Sequence, residues 1–576
     1  MKGLCEADRR VAGVMWGDGM VRWARRAFAP VLVGLAATVG LTACGAEPES
    51  ALEPEPLPVV ELTIAELHQA LDEGRTSCRV AVQAHLDRIE AYEDRINAVT
   101  VVNARALEVA DSLDAVREAS GGAAGSLGPL HCVPMLVKDN FDTRDMVTTG
   151  GSIALRDNIP PDDAFMVRRI REAGAVIVAK TNMAEWAFSP RESVSSSFDT
   201  TRNAYALDRV PAGSSGGTAS GVAASFGLIG LGSDTGNSIR GPSSHLALVG
   251  IRSSMGVTSR DGVIPLSFDR DIAGPMGRTV EDVARVFAVV VGYDPADPYT
   301  EPMRDRPVED YLAFLGQGRG QAEVAGDGEA GADEPSLPGV RLGILRALAD
   351  PAEADTAIMR LFDAAVAELE RLGAEVVEVD LDVAAELERP NMFCPRFRYD
   401  MGRYLESLGD AAPFTDVLTV LETGEYHPSA ERSLRGYEDD PLDTPPGDWD
   451  EPCPDYMFNP GRQAYRAAVE GAMADAGVAG LLYPSWTYPP AHLNNAREEY
   501  RGDNSQRVAP ATGLPAISVP MGFSYGSLPA GLQILGPWGS EVELFRLAYA
   551  YEQSSRHRRP PEGFPELTGE SVDPEG

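Results

Sequence analysis

Between Pro211 and Pro242 the chain reads PAGSSGGTASGVAASFGLIGLGSDTGNSIRGP, two glycine–serine turns around a run of small and apolar residues. The first turn holds Ser214 and Ser215, and the second holds Ser238. Upstream, VPMLVKDN sets Lys138 at the end of an apolar run. Burial there would strip water from the ammonium and lower its pKa, which a lysine needs in order to act as a base. Serine hydroxyls on tight turns, with a desolvated lysine, are the parts of a nucleophilic hydrolase that works without histidine. The ordinary reading of Lys138 is an ion pair with its neighbour Asp139.

The first turn also fits GxSxG, with Ser215 as nucleophile, but that elbow requires a buried strand leading into it. The preceding NAYALDRVPA is not such a strand. His245, His427, His492 and His557 lie in no motif that would complete a histidine triad, and no GK[ST] follows to make a phosphate loop. The two turns make better sense together. Ser238 follows Asp234-Thr235-Gly236-Asn237 at the end of an apolar strand, Leu228–Leu231, where backbone N–H groups can converge on an oxyanion. A hydroxyl of the first turn can relay the proton from Ser238 to Lys138.

The elements that must position these groups are helices alternating with short apolar strands. Thr63 and Ser77 are placed to cap two helices, the second running to about Tyr92, and a third helix covers about Ala104–Glu118. Strands are expected at Val133–Val137, Val176–Ala179, Val340–Leu345, Glu375–Val379, Ala516–Val519 and Gly531–Leu535. Helices are expected at Asp163–Glu172 and Ala354–Leu372. A last helix to about Ser555 would start from a capping box of Ser540 and Glu543. The alternation predicts an α/β domain with a mixed or mostly parallel sheet. Residues 316–338 read as a flexible insertion, and residues 390–501, irregular and rich in aromatics and proline, as a lid or substrate-side region. Within it Phe397, Tyr399, Trp486 and Tyr488 suggest an apolar pocket wall, although such residues more often belong to a core.

The 576 residues are 44% hydrophobic and carry a formal net charge of −37, which argues against a nucleic-acid partner. Arg22, Arg25 and Arg26 precede an apolar run, Ala27–Leu41, ending Leu41-Thr42-Ala43-Cys44. This reads as a signal peptide over residues 1–43, with the true start at Met20 or Met15. The Leu-Thr-Ala-Cys end resembles a bacterial lipobox with Cys44 as the lipidated residue. Residues 44–60 form an acidic, proline-rich tether. The expectation is an exported protein, attached through Cys44 to a bacterial membrane and facing the periplasm or exterior. Of the six cysteines, Cys5 and Cys44 fall in this leader. Cys78, Cys132, Cys394 and Cys453 form no CxxC pair, so no metal is expected. A Cys394–Cys453 disulfide and buried free thiols are both open.

The strings GPLHCVPMLVKDN, AGSSGGTASGVAAS, LGSDTGNSIRGPSS, DGVIPLSFDRDIAGPMGRTVEDVA, GDNSQRVAPATGLPAISVPMG, GLQILG and LAYAYEQ together resemble the amidase signature family over residues 61–560, leaving 561–576 as a tail. The resemblance implies an amidase-signature α/β fold, a large, mixed, mostly parallel β-sheet core covered by helices on both faces. It implies a Ser–cis-Ser–Lys triad: Ser238 as nucleophile, Ser214 as the bridging serine with a cis peptide bond, and Lys138 as base. Thr235, Gly236, Asn237 and Ser238 match the oxyanion-hole backbone, and Asp234 and Arg240 match positions that shape the loop. Four residues depart from the pattern. Asn237, Ala212 and Cys132 stand where the family has glycine, and Ser253 where it has proline; Asn237 is expected to survive because asparagine tolerates positive φ. The implied activity is hydrolysis of carboxylic or peptide-type amides to acid plus ammonia or amine through a seryl acyl-enzyme, without metal or organic cofactor, with esterase activity as a side reaction. The alternatives are a non-catalytic ligand-binding member and the glutaminase component of an amidotransferase, which the leader and the acidic composition speak against.

Overall fold

The computed structural model describes residues 57–121, 127–307, 309–317, 336–390 and 392–567. The proposed leader, Cys44, most of the tether and most of the 316–338 insertion lie outside these residues. Eleven strands form one sheet: β1 (Val99–Val102), β2 (Pro134–Lys138), β3 (Val176–Thr181), β4 (Ile229–Asp234), β5 (Val249–Arg252), β6 (Ile272–Gly277), β7 (Arg341–Leu345), β8 (Glu375–Val379), β9 (Leu481–Pro484), β10 (Ala516–Ser524) and β11 (Leu528–Leu535). Their spatial order is β1-β3-β2-β4-β6-β5-β10-β11-β9-β7-β8. Parallel pairing forms two blocks, β3-β2-β4 and β9-β7-β8, joined through antiparallel strands. This is the expected amidase-signature α/β architecture.

The central strands are apolar on both faces because both are covered. Every residue of β2, β3, β4, β5 and β6 is buried, the pattern of strands inside a layered α/β core. The helix Gly216–Ala223 is built almost entirely of small residues and is buried throughout, which lets its backbone lie close to β2 and β4. Elsewhere the helices follow their signals. Thr63 and Glu66 form a capping box for Ile64–Asp72, and Ser77 caps Cys78–Ile96. The expected box of Ser540 and Glu543 does not form. Ser540 Oγ donates to the Pro537 carbonyl at 2.7 Å, and Glu543 is taken by Arg546 at 2.6 Å, although the helix Glu541–Ser555 is present.

Segment 390–501 is not structureless. It contains the helices Phe397–Ser407, Pro428–Arg435 and Pro460–Ala476. Phe397 is a core residue, packed edge-on against Trp186 and Phe188, and Trp486 packs against His245. Cys394 and Cys453 are disulfide-bonded with their Cα atoms 6.0 Å apart, and Cys78 and Cys132 with theirs 4.9 Å apart. The Cys78–Cys132 bridge has no counterpart in the sequence reading: its separation of 54 residues is no longer than the 59 of Cys394–Cys453, but its cysteines lie in different elements, Cys78 at the start of a helix and Cys132 just before β2, rather than in one irregular segment.

Candidate active site

Strand β2 delivers Lys138 to the middle of the parallel block, with β3 and β4 on either side. Its side chain is completely buried. Nζ lies 2.7 Å from Ser214 Oγ and 2.8 Å from Ser233 Oγ, and Asn140 Nδ2 donates to the same Ser233 hydroxyl at 3.0 Å. Burial lowers the Lys138 pKa to about 7, with Asp271 and Asp234 opposing it only in part. At neutral pH a large share of this lysine is therefore uncharged. The ordinary partner, Asp139, is engaged elsewhere: Lys180 Nζ stands 3.5 Å from its carboxylate, and the Thr149 hydroxyl donates to it.

The Ser214 turn is rigidly held. The Gly213–Ser214 peptide bond is cis. A Cβ on Gly213 would meet the Glu192 and Ser189 carbonyls at 2.3 and 2.4 Å, so only glycine fits there. Ser193 Oγ donates toward the Ala212 and Ser214 carbonyls at 3.1 and 3.3 Å and accepts from Gly216 N–H at 2.9 Å. Ala212 sits at φ +66° and Cys132 at φ +65°, so two of the family's replaced glycines keep a left-handed backbone. Asn237 is not among the positive-φ residues. Its tolerance of positive φ is thus not what the position uses. Ser215 occupies the N-cap position of the helix Gly216–Ala223 and gives its hydroxyl to the Ser233 carbonyl at 3.2 Å, as a structural residue rather than an elbow nucleophile.

The Ser238 loop is shaped from beneath by charge. The Asp234 carboxylate accepts from Arg240 Nε at 3.0 Å, Arg252 Nη1 at 3.1 Å and Ile239 N–H at 3.2 Å, all fully buried. Burial alone would raise its pKa, but the two guanidiniums outweigh it and hold it down at about 2. Arg240 Nη2 also donates to the Gly236 carbonyl at 2.8 Å. A Cβ on Gly236 would come within 2.4 Å of Gln506 Oε1, so a larger residue there would have to displace the end of the Gln506 side chain. Thr235 gives its hydroxyl to Asp271. Among the described residues the N–H groups of Thr235, Gly236, Asn237 and Ser238 make no hydrogen bond. All four residues line one cavity of about 220 Å³. Unpartnered N–H groups in a buried loop are what an oxyanion would satisfy.

Ser238 itself is the loosest member. It is 5% exposed and lines the cavity, and among the described residues its Oγ has one contact, Asn237 Oδ1 at 3.5 Å. Among the described residues no hydrogen bond joins Ser238 to Ser214. Lys138 and Ser214 are in direct contact, and Ser238 stands apart from them. Ser193, Ser233, Asn140, Gln506, Arg252 and Asp271 complete the surroundings and were not singled out from the sequence. Ser233 had a visible signal, a hydroxyl in an otherwise apolar strand directly before Asp234. The others arrive by tertiary contact. Residues Phe393, Ser433 and Tyr437 of segment 390–501 reach the cavity, whereas Trp486 and Tyr488 do not line it.

The Amidase family model matches residues 80–545. Among curated relatives, a glutamyl-tRNA(Gln) amidotransferase chain of Symbiobacterium thermophilum is 33% identical over 534 residues, covering 88% of this chain and 99% of the relative. The protein of the same name from Salinispora arenicola is 34% identical, covering 87% and 99%. Among solved structures, the peptide amidase of Stenotrophomonas maltophilia superposes with a TM-score of 0.74 at 34% identity, covering 88% of this chain and 99% of that one. The corresponding glutamyl-tRNA(Gln) amidotransferase chain of Thermotoga maritima superposes with a TM-score of 0.65 at 25% identity, covering 88% and 97%. The chain thus belongs to the amidase signature family and is a hydrolase of C–N amide bonds.

Proposed function

We propose that this chain hydrolyses carboxylic or peptide-type amides through an acyl-enzyme on Ser238. The observation that carries this reading is the 2.7 Å contact between a buried Lys138, with a pKa near 7, and Ser214. Neutral Lys138 takes the Ser214 proton as Ser214 takes that of Ser238. The Ser238 oxygen then attacks the amide carbon. The developing oxyanion is met by backbone N–H groups of residues 235–238, which have no other partner among the described residues. The proton returns through Ser214 to the leaving nitrogen, the C–N bond breaks, and ammonia or amine departs. Water, deprotonated by the same relay, attacks the acyl carbon and frees Ser238 with release of the acid. Attack requires the Ser238 hydroxyl to leave Asn237 Oδ1 and come within hydrogen-bond reach of Ser214. Ser238→Ala is expected to lower ammonia release from simple carboxamides by at least ~10⁴-fold with an unchanged melting temperature. Turnover within tenfold of wild type would remove Ser238 from the mechanism.

A second reading has specific support. The curated relatives are named as one component of an amidotransferase acting on glutamyl-tRNA(Gln), which favours a glutaminase role, while the solved structures include a free-standing peptide amidase. The two diverge on substrate. A free-standing amidase would release ammonia from peptide C-terminal amides without other chains. A glutaminase component would prefer L-glutamine and depend on partner chains.

Export and attachment through a lipidated Cys44 are part of the proposal. Two disulfides, Cys78–Cys132 and Cys394–Cys453, support an oxidising compartment. Metabolic palmitate labelling of a fusion carrying residues 20–60 should succeed, and should fail for its Cys44→Ala form.

A further inference from the structure

The cavity in front of Ser238 contains one charged lining residue among the described residues, Arg270. It lies in the turn after Ser267, whose carbonyl accepts from the N–H groups of both Arg270 and Asp271 at 2.8 Å. The Arg270 side chain is 9% exposed, yet among the described residues it makes no hydrogen bond and no ion pair, and its Nε is buried without a partner. What it does meet is the Phe393 ring, 5.1 Å from the guanidinium carbon.

The neighbouring carboxylates are already committed. Asp269 is held by Arg462 Nη1 at 2.7 Å. Asp271 accepts from the Thr235 hydroxyl and from Leu266 and Ser267 N–H groups at 2.9 and 3.0 Å. Asp234 is shared by Arg240 and Arg252. Arg240 and Arg252 are bridged to Asp234 and Arg462 to Asp269, so of these four arginines Arg270 is the one with no carboxylate within ion-pair distance among the described residues, and it is the one that borders the cavity. Burial, followed by the repulsion of Arg462, depresses the Arg270 pKa to about 9, which still leaves it charged at neutral pH. A buried unpaired guanidinium is costly, and its planar fork of donors matches a carboxylate.

We propose that Arg270 is a substrate-recognition residue that binds a carboxylate, so that the amides preferred by this site carry an anionic group close to the scissile bond. The inference rests on the amidase reading above and narrows its substrate class. The cavity, about 220 Å³, is smaller than the ~300–1,000 Å³ of pockets for drug-sized ligands, which suits a short acid-amide. The carboxylate can sit on the acyl side, as in a dicarboxylic half-amide, or on the leaving amine, as in an N-acyl amino acid.

The test uses matched pairs in which only the charge differs. Succinamate is compared with 4-oxopentanamide, and glutaramate with 5-oxohexanamide, for the acyl side. N-acetylglycine is compared with N-acetylaminoacetone for the amine side. In at least one pair the full-length protein should turn over the carboxylate member with kcat/KM higher by roughly 10- to 100-fold. Arg270→Gln should bring that ratio to near unity, and Arg270→Lys should retain part of it. Equal rates within every pair for the wild type, or a preference that survives Arg270→Gln, would overturn the proposal. The wild-type comparison decides even if the glutamine variant does not fold. Turnover of neutral amides without a preference refutes the carboxylate site alone, whereas absence of all amide turnover refutes the amidase reading with it.

Discussion

The two serine turns of the site are built on opposite plans. The Ser214 turn is closed. Its hydroxyl meets Lys138 at 2.7 Å, Ser193 ties its backbone on two sides, and carbonyls crowd Gly213 so that no side chain fits. The Ser238 turn is fixed from below by Asp234 between Arg240 and Arg252 and at its sides by Thr235 on Asp271 and by Asn237 Nδ2, which donates to the Pro190 carbonyl at 3.1 Å, and its upper face is open to the cavity. Among the described residues its backbone N–H groups are unpartnered, and its hydroxyl has a single long contact to Asn237. On the proposed mechanism the base side is therefore buried and pre-assembled, while the nucleophile side keeps the freedom that substrate binding would use. The division follows the chemistry. A lysine stays neutral only while water is kept away, and an oxyanion hole is useful only while its donors remain unpaired.

After loss of the proposed nucleophile itself, the largest expected effect is on the closed turn. Lys138→Met removes the base while keeping its bulk, and should lower kcat/KM by roughly 10²- to 10⁴-fold. In the wild type the rate should rise with pH through about 7 as Lys138 loses its proton, and the variant should lose that limb. A next effect falls under the open turn. Asp234→Asn leaves Arg240 and Arg252 without their counter-charge and should cost about 3–5 kcal/mol in urea unfolding. Because the folded Asp234 pKa lies below the ordinary carboxylate value, this contribution is present above about pH 4 and is lost as pH falls toward 2. An unchanged urea midpoint would show that the loop is held by something else. The smallest effect returns to the closed turn. Ala212→Gly relieves a left-handed φ of +66°, and the variant should be more stable by about 0.5–1 kcal/mol. A less stable variant would mean that the buried Ala212 methyl group contributes more than the strain it carries.

Much of this arrangement is legible in the sequence. The apolar run into Lys138 is a buried strand, and the two serine turns lie where the motifs place them, because strand burial and turn glycines leave local marks in a sequence. Three things left no local mark. Ser193 reaches the Ser214 turn across 21 residues, and Arg252 reaches Asp234 across 18. Arg270 looked like any charged loop residue, since its lack of partners is a property of the assembled cluster. The departures from the family pattern also redistributed themselves. Asn237 drew attention as a substituted glycine, yet the left-handed backbone belongs to Ala212 and Cys132, and what Asn237 brings is a side chain against Ser238. Ser540 and Glu543 had the spacing of a capping box, but Pro537 and Arg546 are nearer competitors for them.

The division between a finished base and a waiting nucleophile is tested most directly by measuring, as a function of pH, the rate and site of labelling by a fluorophosphonate, with mass spectrometry of the modified peptide. The account predicts a single modification at Ser238, a rate that rises through an apparent pKa near 7, and loss of that rise in Lys138→Met. Modification at Ser215 or Ser214, or a Ser238 rate that is indifferent to pH and to Lys138, would contradict it.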